Sequence, residues 1–168
     1  MVRFRLALFA VFLSLLPAVG SAATIILVRH AERVGGMAPD ALLSPAGEER
    51  ARQLAEVLKD SGIQRIFVTD VRRTQQTAEP IAARLHLKPT VIAKADLDAL
   101  MNQLRKLGQN ETALVVGHAD TVPLLVERLG GGATPAFREN EYDRMIVLSL
   151  GADGKAQVVT LRYGTSTP

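Results

Sequence analysis

Short apolar runs alternate with amphipathic segments along most of this chain. Runs rich in valine, isoleucine and leucine predict strands at 24–28, 65–69, 90–93, 112–116, 144–150 and 156–162. Between them, apolar residues recur at helical spacing, as at Ala51, Leu54, Ala55 and Leu58. The last two strands flank a turn at 151–154 and predict a hairpin. The pattern as a whole predicts an α/β fold, a three-layer α/β/α sandwich with a mixed, mostly parallel central sheet.

Polar residues and prolines mark the helix ends. Ser44 and Pro45 predict the N-cap and the first position of the first helix. The remaining helices are predicted over roughly 74–85, 97–107 and 121–129. Pro80 is expected in or near the first turn of its helix, or at a kink, because proline lacks the N–H that an interior turn requires. Asp96 is predicted to cap the third helix.

The first 22 residues have the three parts of a secretory signal peptide. Arg3 and Arg5 precede an apolar run at 6–16, and small residues suited to cleavage follow. The apolar run is short for a membrane span, and the chain has no cysteine for a lipid anchor. We therefore expect a signal peptide at 1–22, one mature domain at 23–168, no stable membrane anchor after cleavage, and a periplasmic or secreted location. A retained membrane anchor is the alternative.

Charge and composition exclude several function classes. Cleavage would remove two arginines and lower the formal net charge from +3 to +1, which gives no support for nucleic-acid binding. Tryptophan is absent and aromatic residues are few, so stacking platforms for bases or sugars are not expected. The three histidines are far apart in sequence and lack metal-ligand spacing. We expect no metal and no cofactor.

Two histidines each follow a predicted strand. His30 comes after the first strand and Arg29, and His118 follows the strand at 112–116. An arginine-containing segment that includes Arg73 follows the strand at 65–69. Ligands bind at the carboxyl ends of strands in open α/β sheets, so these side chains are expected around one pocket.

This set of side chains suits phosphoryl transfer. A neutral histidine with one free ring nitrogen can attack phosphorus, and we assign that role to His30. Arginine binds two phosphoryl oxygens at once, so Arg29 and Arg73 are expected to hold the group together with a protonated His118. Backbone amides at the start of the helix after His118 would add donors.

Four ordered motifs carry a family resemblance. Residues 29–32 read Arg-His-Ala-Glu and resemble the Arg-His-Gly/Ala signature of the histidine phosphatase superfamily, which has a phosphoglycerate-mutase-like fold. Residues 43–51 resemble its Leu-Thr/Ser-x-x-Gly-x-x-x-Ala helix start, residues 69–78 its Ser-x-x-x-Arg-x-x-Gln-Thr-Ala segment, and residues 115–118 its second-histidine strand. The register of these motifs implies that Arg73 is the phosphate-binding arginine.

One expected part of the family is missing from this sequence. Larger members carry a cap insertion between the arginine motif and the second histidine, and this cap often bears the general acid. Here a strand and a helix use most of the short stretch between Arg73 and His118. Asp120 is the first candidate for the acid, and Glu32 and Asp96 follow.

The sequence therefore predicts a metal-independent, histidine acid phosphatase-like phosphomonoesterase that acts through phosphohistidine. The expected substrate is an extracytoplasmic phosphorylated sugar, another small phosphomonoester or a phosphoprotein. Two alternatives stay open. One is a phosphomutase of the same fold, and the other is a catalytically weak module that binds phosphorylated ligands.

Other charged residues are given structural roles. His86 is predicted at a helix C-terminus. Arg33 is expected in solvent, with an extension of the phosphate site as the alternative. Glu141 and Asp143 precede a strand and are interpreted as turn residues. For Arg72 two roles stay open, a surface ion pair and a contact with the substrate.

Overall fold

A computed structural model describes residues 22–35, 40–151 and 155–167. The elements, in chain order, are β1 (Ala23–Arg29), α1 (Pro45–Leu58), β2 (Ile63–Thr69), α2 (Arg72–Leu85), β3 (Thr90–Ile92), α3 (Leu97–Leu104), β4 (Thr112–Gly117), α4 (Thr121–Val126), β5 (Arg144–Leu150) and β6 (Ala156–Arg162). The predicted signal peptide lies outside the described residues except for Ala22, as does the centre of the predicted hairpin turn.

One six-stranded sheet organises the domain, in the order β3-β2-β4-β1-β5-β6. The first four strands of this order are parallel to one another. β5 runs antiparallel to β1, and β6 runs antiparallel to β5. β5 and β6 are close in sequence and pair as a hairpin, whereas helices connect the parallel strands. The predicted α/β class with a mixed, mostly parallel sheet is confirmed.

Each face of the sheet buries its own apolar layer. Ile25 and Leu27 of β1 pack on the side that carries α3 and α4, and Ile26 and Val28 pack on the side that carries α1 and α2. This alternation follows from the two-residue period of a strand. Helices therefore cover both faces, and the polar residues that follow the parallel strands collect at one edge.

Two helices differ from their predicted form. Pro80 lies inside α2 and not in its first turn, because the helix already begins at Arg72. The helix continues through the proline, with Ala78, Ile81 and Ala82 buried on its inner face. The last helix ends as α4 at Val126 and continues as a π-helical turn to Gly131, in which Gly130 adopts a positive φ of 85°. Over the described ranges, no helix has the length and apolar character required to cross a membrane.

Candidate active site

The two strand-end histidines meet at the centre of the sheet. β1 and β4 are neighbouring parallel strands, and Arg29 lies opposite Gly117 in their register. The backbone N–H of His30 donates to the carbonyl of Gly117 at 2.9 Å, which extends the pairing by one residue. The imidazole rings of His30 and His118 are 5.4 Å apart between centroids. The expected pairing of these two histidines at one edge is therefore present.

His30 is held as a neutral imidazole with one free ring nitrogen. Its Nδ1 lies 2.8 Å from the carbonyl oxygen of Ala31, and a carbonyl only accepts, so Nδ1 carries the proton. Burial lowers the pKa of His30 to about 3, and the positive charge of Arg73 acts in the same direction. The lone pair on Nε2 is consequently available for attack at neutral pH.

His118 is also neutral, and a hydrogen-bond chain fixes its tautomer. Arg73 Nη2 lies 3.4 Å from Nδ1, and because arginine only donates, Nδ1 accepts. The proton is then on Nε2, which donates to Thr69 Oγ1 at 3.0 Å. Thr69 Oγ1 lies 2.9 Å from Thr74 Oγ1, which donates onward to the carbonyl of Val71.

The charge of His118 differs from the expectation of a protonated ring. Burial lowers the pKa of His118 to about 4, and the charges of Lys94 and Arg73 act in the same direction. His118 therefore presents a neutral imidazole to the pocket in this structure. A dianionic phosphoryl group beside the ring would raise its pKa, because a nearby negative charge favours the imidazolium.

Two buried arginines flank the histidines. Arg29 ends β1 and is 8% exposed, and Arg73 is in the first turn of α2 and is 9% exposed. Burial lowers the pKa of each guanidinium from its usual value, and the charge of Arg33 adds to this effect in both. Arg33 is half-buried, and its positive charge is close enough to act on both groups.

The three candidate acids have different surroundings. Glu32 makes a bidentate ion pair with Arg50, with Arg50 Nε donating to both carboxylate oxygens at 2.9 Å. Asp96 caps α3 by accepting from the N–H of Ala99. Asp120 is exposed and accepts from the N–H of Thr121, and its charge raises the pKa values of both Arg73 and His118. Of the three candidate acids, Asp120 is thus the one whose charge acts on both Arg73 and His118. Its role as the acid stays a prediction.

Sequence reasoning missed two features beside the site. Tyr142 covers the guanidinium of Arg29 at 4.1 Å, and its ring centroid is 6.1 Å from that of His30. Glu141 and Asp143, interpreted as turn residues, are buried and ion-paired with Arg162. The alternation of two acids with a tyrosine immediately before an apolar strand is the available sequence signal. It does not identify the partners, because those lie far away in the chain.

The remaining predicted residues lie at the periphery or outside the site. His86 is exposed and forms the left-handed C-cap of α2, as its position predicted. The side chain of Arg72 is exposed, while its backbone N–H donates to Asp40. Within the described ranges, no group of three or more histidine, aspartate or glutamate side chains is arranged to hold a metal ion. The site thus combines two neutral histidines with two buried guanidinium groups.

The buried histidines should make folding stability depend on pH above the range in which carboxylates titrate. Both have folded-state pKa values below 6.5, so acid protonates the unfolded chain first. The contribution of the two histidines to the free energy of unfolding should be complete above about pH 6.5. It should decrease as the pH falls toward about 4, by about 1.4 kcal/mol for each unit of difference between the folded and unfolded pKa values. Urea unfolding of the wild type and of a His30→Gln/His118→Gln double variant at about pH 7 and about pH 5 measures this. An equally steep fall in the double variant would contradict it.

Comparisons with known proteins agree with this geometry. Residues 25–99 match the family model of the histidine phosphatase superfamily (branch 1). A stretch of 65 residues is 43% identical to a protein of Enterobacter sp. (strain 638) named probable phosphoglycerate mutase GpmB, and it covers 34% of this chain and 30% of that protein. The chain therefore spans less than a third of that relative's length.

Two solved structures show the same fold. The alpha-ribazole phosphatase from Shigella flexneri superposes with a TM-score of 0.68 at 17% identity, over 85% of this chain and 99% of that one. The protein histidine phosphatase SixA, complexed with tungstate, superposes with a TM-score of 0.63 at 23% identity, over 83% of this chain and 96% of that one. The family model, the curated relative and the fold together support the histidine phosphatase superfamily with its phosphoglycerate-mutase-like architecture.

Proposed function

With the histidine phosphatase superfamily as the premise, we propose that this protein hydrolyses phosphomonoesters through a phosphohistidine at His30. The observation that supports this most strongly is the state of His30. The Nδ1–H of His30 donates to the carbonyl of Ala31, and the pKa of the imidazole lies well below neutrality. Nε2 is therefore an unprotonated nucleophile at pH 7. A histidine nucleophile requires a neutral ring with one free nitrogen, and the two buried arginines supply the positive charge that a phosphoryl group requires.

The reaction has two steps. Nε2 of His30 attacks phosphorus and forms a P–N bond while the P–O ester bond breaks, and the leaving oxygen takes a proton from the general acid. We assign this proton to the carboxyl of Asp120. Water then attacks the phosphohistidine, the P–N bond breaks, and Asp120 accepts a proton from that water as inorganic phosphate forms.

Fixed positive charge stabilises the transferring group. Its charge is spread over three equatorial oxygens, and Arg29 and Arg73 present guanidinium groups that need no rearrangement to meet them. His118 is neutral before binding and becomes a better donor as the phosphoryl charge raises its pKa. The buried Thr69–Thr74 pair orients its ring throughout.

The proposed substrate is an extracytoplasmic phosphorylated sugar, another small phosphomonoester or a phosphoprotein. Two observations support an open site that accepts varied leaving groups. The chain between Arg73 and His118 is used for α2, β3 and α3, which leaves little for a separate cap. The structural relatives described above are named an alpha-ribazole phosphatase and a protein histidine phosphatase, so proteins of this fold carry names with different substrates.

One experiment tests the activity directly. The protein lacking residues 1–22 is incubated with a panel of sugar phosphates, other phosphomonoesters and a phosphohistidine protein, and free phosphate is measured. Release of phosphate from any of them at a rate that depends on His30 supports the proposal. If no member of the panel releases phosphate, and the phosphohistidine protein keeps its phosphoryl group, the proposal is contradicted.

The curated relative's name keeps a phosphomutase as the second candidate. A mutase would pass the phosphoryl group from the phosphohistidine to a second hydroxyl and not to water. Labelled substrate separates the two reactions. Label in free phosphate indicates a hydrolase, and label retained in a second ester indicates a mutase.

Activity should survive prolonged treatment with EDTA. We propose that side-chain cations, and not a metal, hold the phosphoryl group, because Arg29 and Arg73 already flank the nucleophile. Phosphate release is measured before and after chelation and dialysis. A complete loss that added zinc or magnesium restores would reject this mechanism.

We further propose that the protein is exported and that the mature chain begins near Ala23. In the structure β1 also begins at Ala23, so cleavage there would leave the sheet complete. Intact-mass measurement of protein recovered from the periplasmic or secreted fraction checks this. A full-length chain in the membrane fraction would instead identify 6–16 as part of an anchor.

A further inference from the structure

Arg29 is held at one end by backbone carbonyls of a single loop. Its Nη1 donates to the carbonyl oxygens of Arg138, Glu139 and Glu141 at 3.1, 2.9 and 3.0 Å. Its Nε is buried and has no hydrogen-bond partner among the described residues. A guanidinium binds a phosphoryl group best through two parallel N–H donors, and with Nη1 occupied the pair formed by Nε and Nη2 is left for that purpose.

The loop that binds Arg29 is itself anchored by a buried carboxylate. Glu141 is fully buried, and its side chain accepts from Arg144, from Arg162 and from the backbone N–H of Arg138. Burial alone would raise the pKa of this carboxyl, but the hydrogen bonds from Arg144 and Arg138 lower it to about 2. The carboxylate therefore stays charged and closes the 138–141 turn on itself.

The next residue completes the contact from the other side. Tyr142 places its ring over the Arg29 guanidinium at 4.1 Å, so the plane of the guanidinium is fixed as well as its end. A flexible arginine loses rotamer freedom when it binds phosphate, and prior fixation removes that cost. The 138–142 loop thus combines an anchor, three acceptors and a cover around one side chain.

We propose that Glu141 and Tyr142 are positioning residues that aim the Nε/Nη2 edge of Arg29 at the phosphoryl group. This inference rests on the proposed phosphatase function, in which Arg29 binds the phosphoryl oxygens. Neither residue contacts the reacting atoms in this account. Glu141 acts through the backbone of its loop, and Tyr142 acts through the guanidinium face.

The charge of Glu141 makes the proposal distinguishable from a simple electrostatic effect. Removing a negative charge near an anion site strengthens anion binding by Coulomb's law. Glu141→Gln would therefore tighten phosphate binding if only charge mattered. If the loop instead positions Arg29, the amide cannot satisfy Arg144, Arg162 and the Arg138 N–H together, the loop shifts, and phosphate binding weakens.

Asp143 supplies a matched control. It is buried in the same cluster and accepts from Arg162 and from Thr167, and no described hydrogen bond joins its side chain to the 138–141 turn. Asp143→Asn removes the same charge from the same cluster. Any general loss of stability or change of field should appear in both variants, whereas a loss of Arg29 positioning should appear only in Glu141→Gln.

The test measures affinity for inorganic phosphate by calorimetry in the protein lacking residues 1–22, with melting temperatures recorded alongside. We expect Arg29→Met to weaken phosphate binding by about tenfold to a hundredfold, Glu141→Gln by about tenfold, and Asp143→Asn to leave it unchanged or slightly tighter. In the Arg29→Met background, Glu141→Gln should have no further effect, because the residue through which it acts is gone.

Two outcomes separate the failure of this inference from failure of the function. If the wild type neither binds phosphate nor releases it from any ester, the proposed function falls. If the wild type binds phosphate but Glu141→Gln matches Asp143→Asn, or weakens binding equally without Arg29, the positioning role is wrong. Should Glu141→Gln not fold, Tyr142→Leu must weaken phosphate binding more than Tyr142→Phe, and equal affinities would overturn the inference.

Discussion

Replacing His30 with alanine should reduce phosphatase turnover by several orders of magnitude while the protein stays folded. The imidazole supplies the nucleophile, and enzymes that lose a covalent nucleophile commonly lose about 10⁴-fold or more in kcat. The fold should persist because His30 lies beyond the end of β1, and the apolar layers on both sheet faces remain complete. The substitution also removes a buried imidazole whose protonation in acid would destabilise the fold.

Turnover and far-UV circular dichroism measured on the same samples check this prediction. His86→Asn is the matched control, since His86 is exposed and left-handed, a backbone conformation that asparagine tolerates. The control should keep wild-type turnover. Mass spectrometry under alkaline conditions should detect a phosphorylated wild-type protein and no such species in His30→Ala. A folded His30→Ala protein with wild-type turnover would show that another group is the nucleophile.

Asp120→Asn should slow the hydrolysis of alkyl phosphates by about a hundredfold or more and affect p-nitrophenyl phosphate far less. An alkoxide needs a proton as it leaves, whereas nitrophenolate departs without one. Asp120 is exposed at the mouth of the site, and its charge acts on both Arg73 and His118. Asparagine caps a helix about as well as aspartate, so loss of the cap would not account for a selective effect.

Asp96→Asn is the comparison for this substitution, because Asp96 is another candidate for the acid. Asp96 and Asp120 each accept a backbone N–H at 2.9 Å at the start of a helix, and both are exposed. The two variants therefore make the same chemical change at two helix starts, although Asp96 accepts from Ala99 and Asp120 from the adjacent Thr121. Rates on an alkyl phosphate should fall in Asp120→Asn alone. A fall in Asp96→Asn alone would assign the proton to Asp96, and an equal fall in both variants, or in neither, would assign it to another source. Glu32 is the weakest alternative, because Arg50 already engages both of its oxygens.

The sequence predicts the fold well because periodicity and caps are local. The strand-end positions of His30 and His118 follow from two apolar runs, and parallel pairing of β1 with β4 brings them together. Ser44 as an N-cap that accepts from Gly47 was also predictable from a single motif. The strands and caps depend on residues that are close together in the chain, and the meeting of the two histidines follows from the general rule that parallel strands end at the same edge of a sheet.

The errors concern tertiary surroundings that local spacing does not reveal. Glu141 is predicted as a turn residue because spacing alone shows neither its ion pair with Arg144, three residues later, nor the one with Arg162. The neutral state of His118 before phosphate binds depends on its burial, which no motif encodes. Pro80 was expected near a helix start because its intrinsic cost is local, whereas the packing of its neighbours is tertiary.

The pairing of β1 with β4 has a consequence for how the protein acquires activity. The hydrogen bond from the His30 N–H to the Gly117 carbonyl joins segments from opposite halves of the chain, so the loop between them must close before the two rings meet. Such non-local contacts form slowly compared with single helices. A chain released from denaturant should therefore regain its helical signal before it regains catalysis, which makes catalysis a reporter of the completed central sheet.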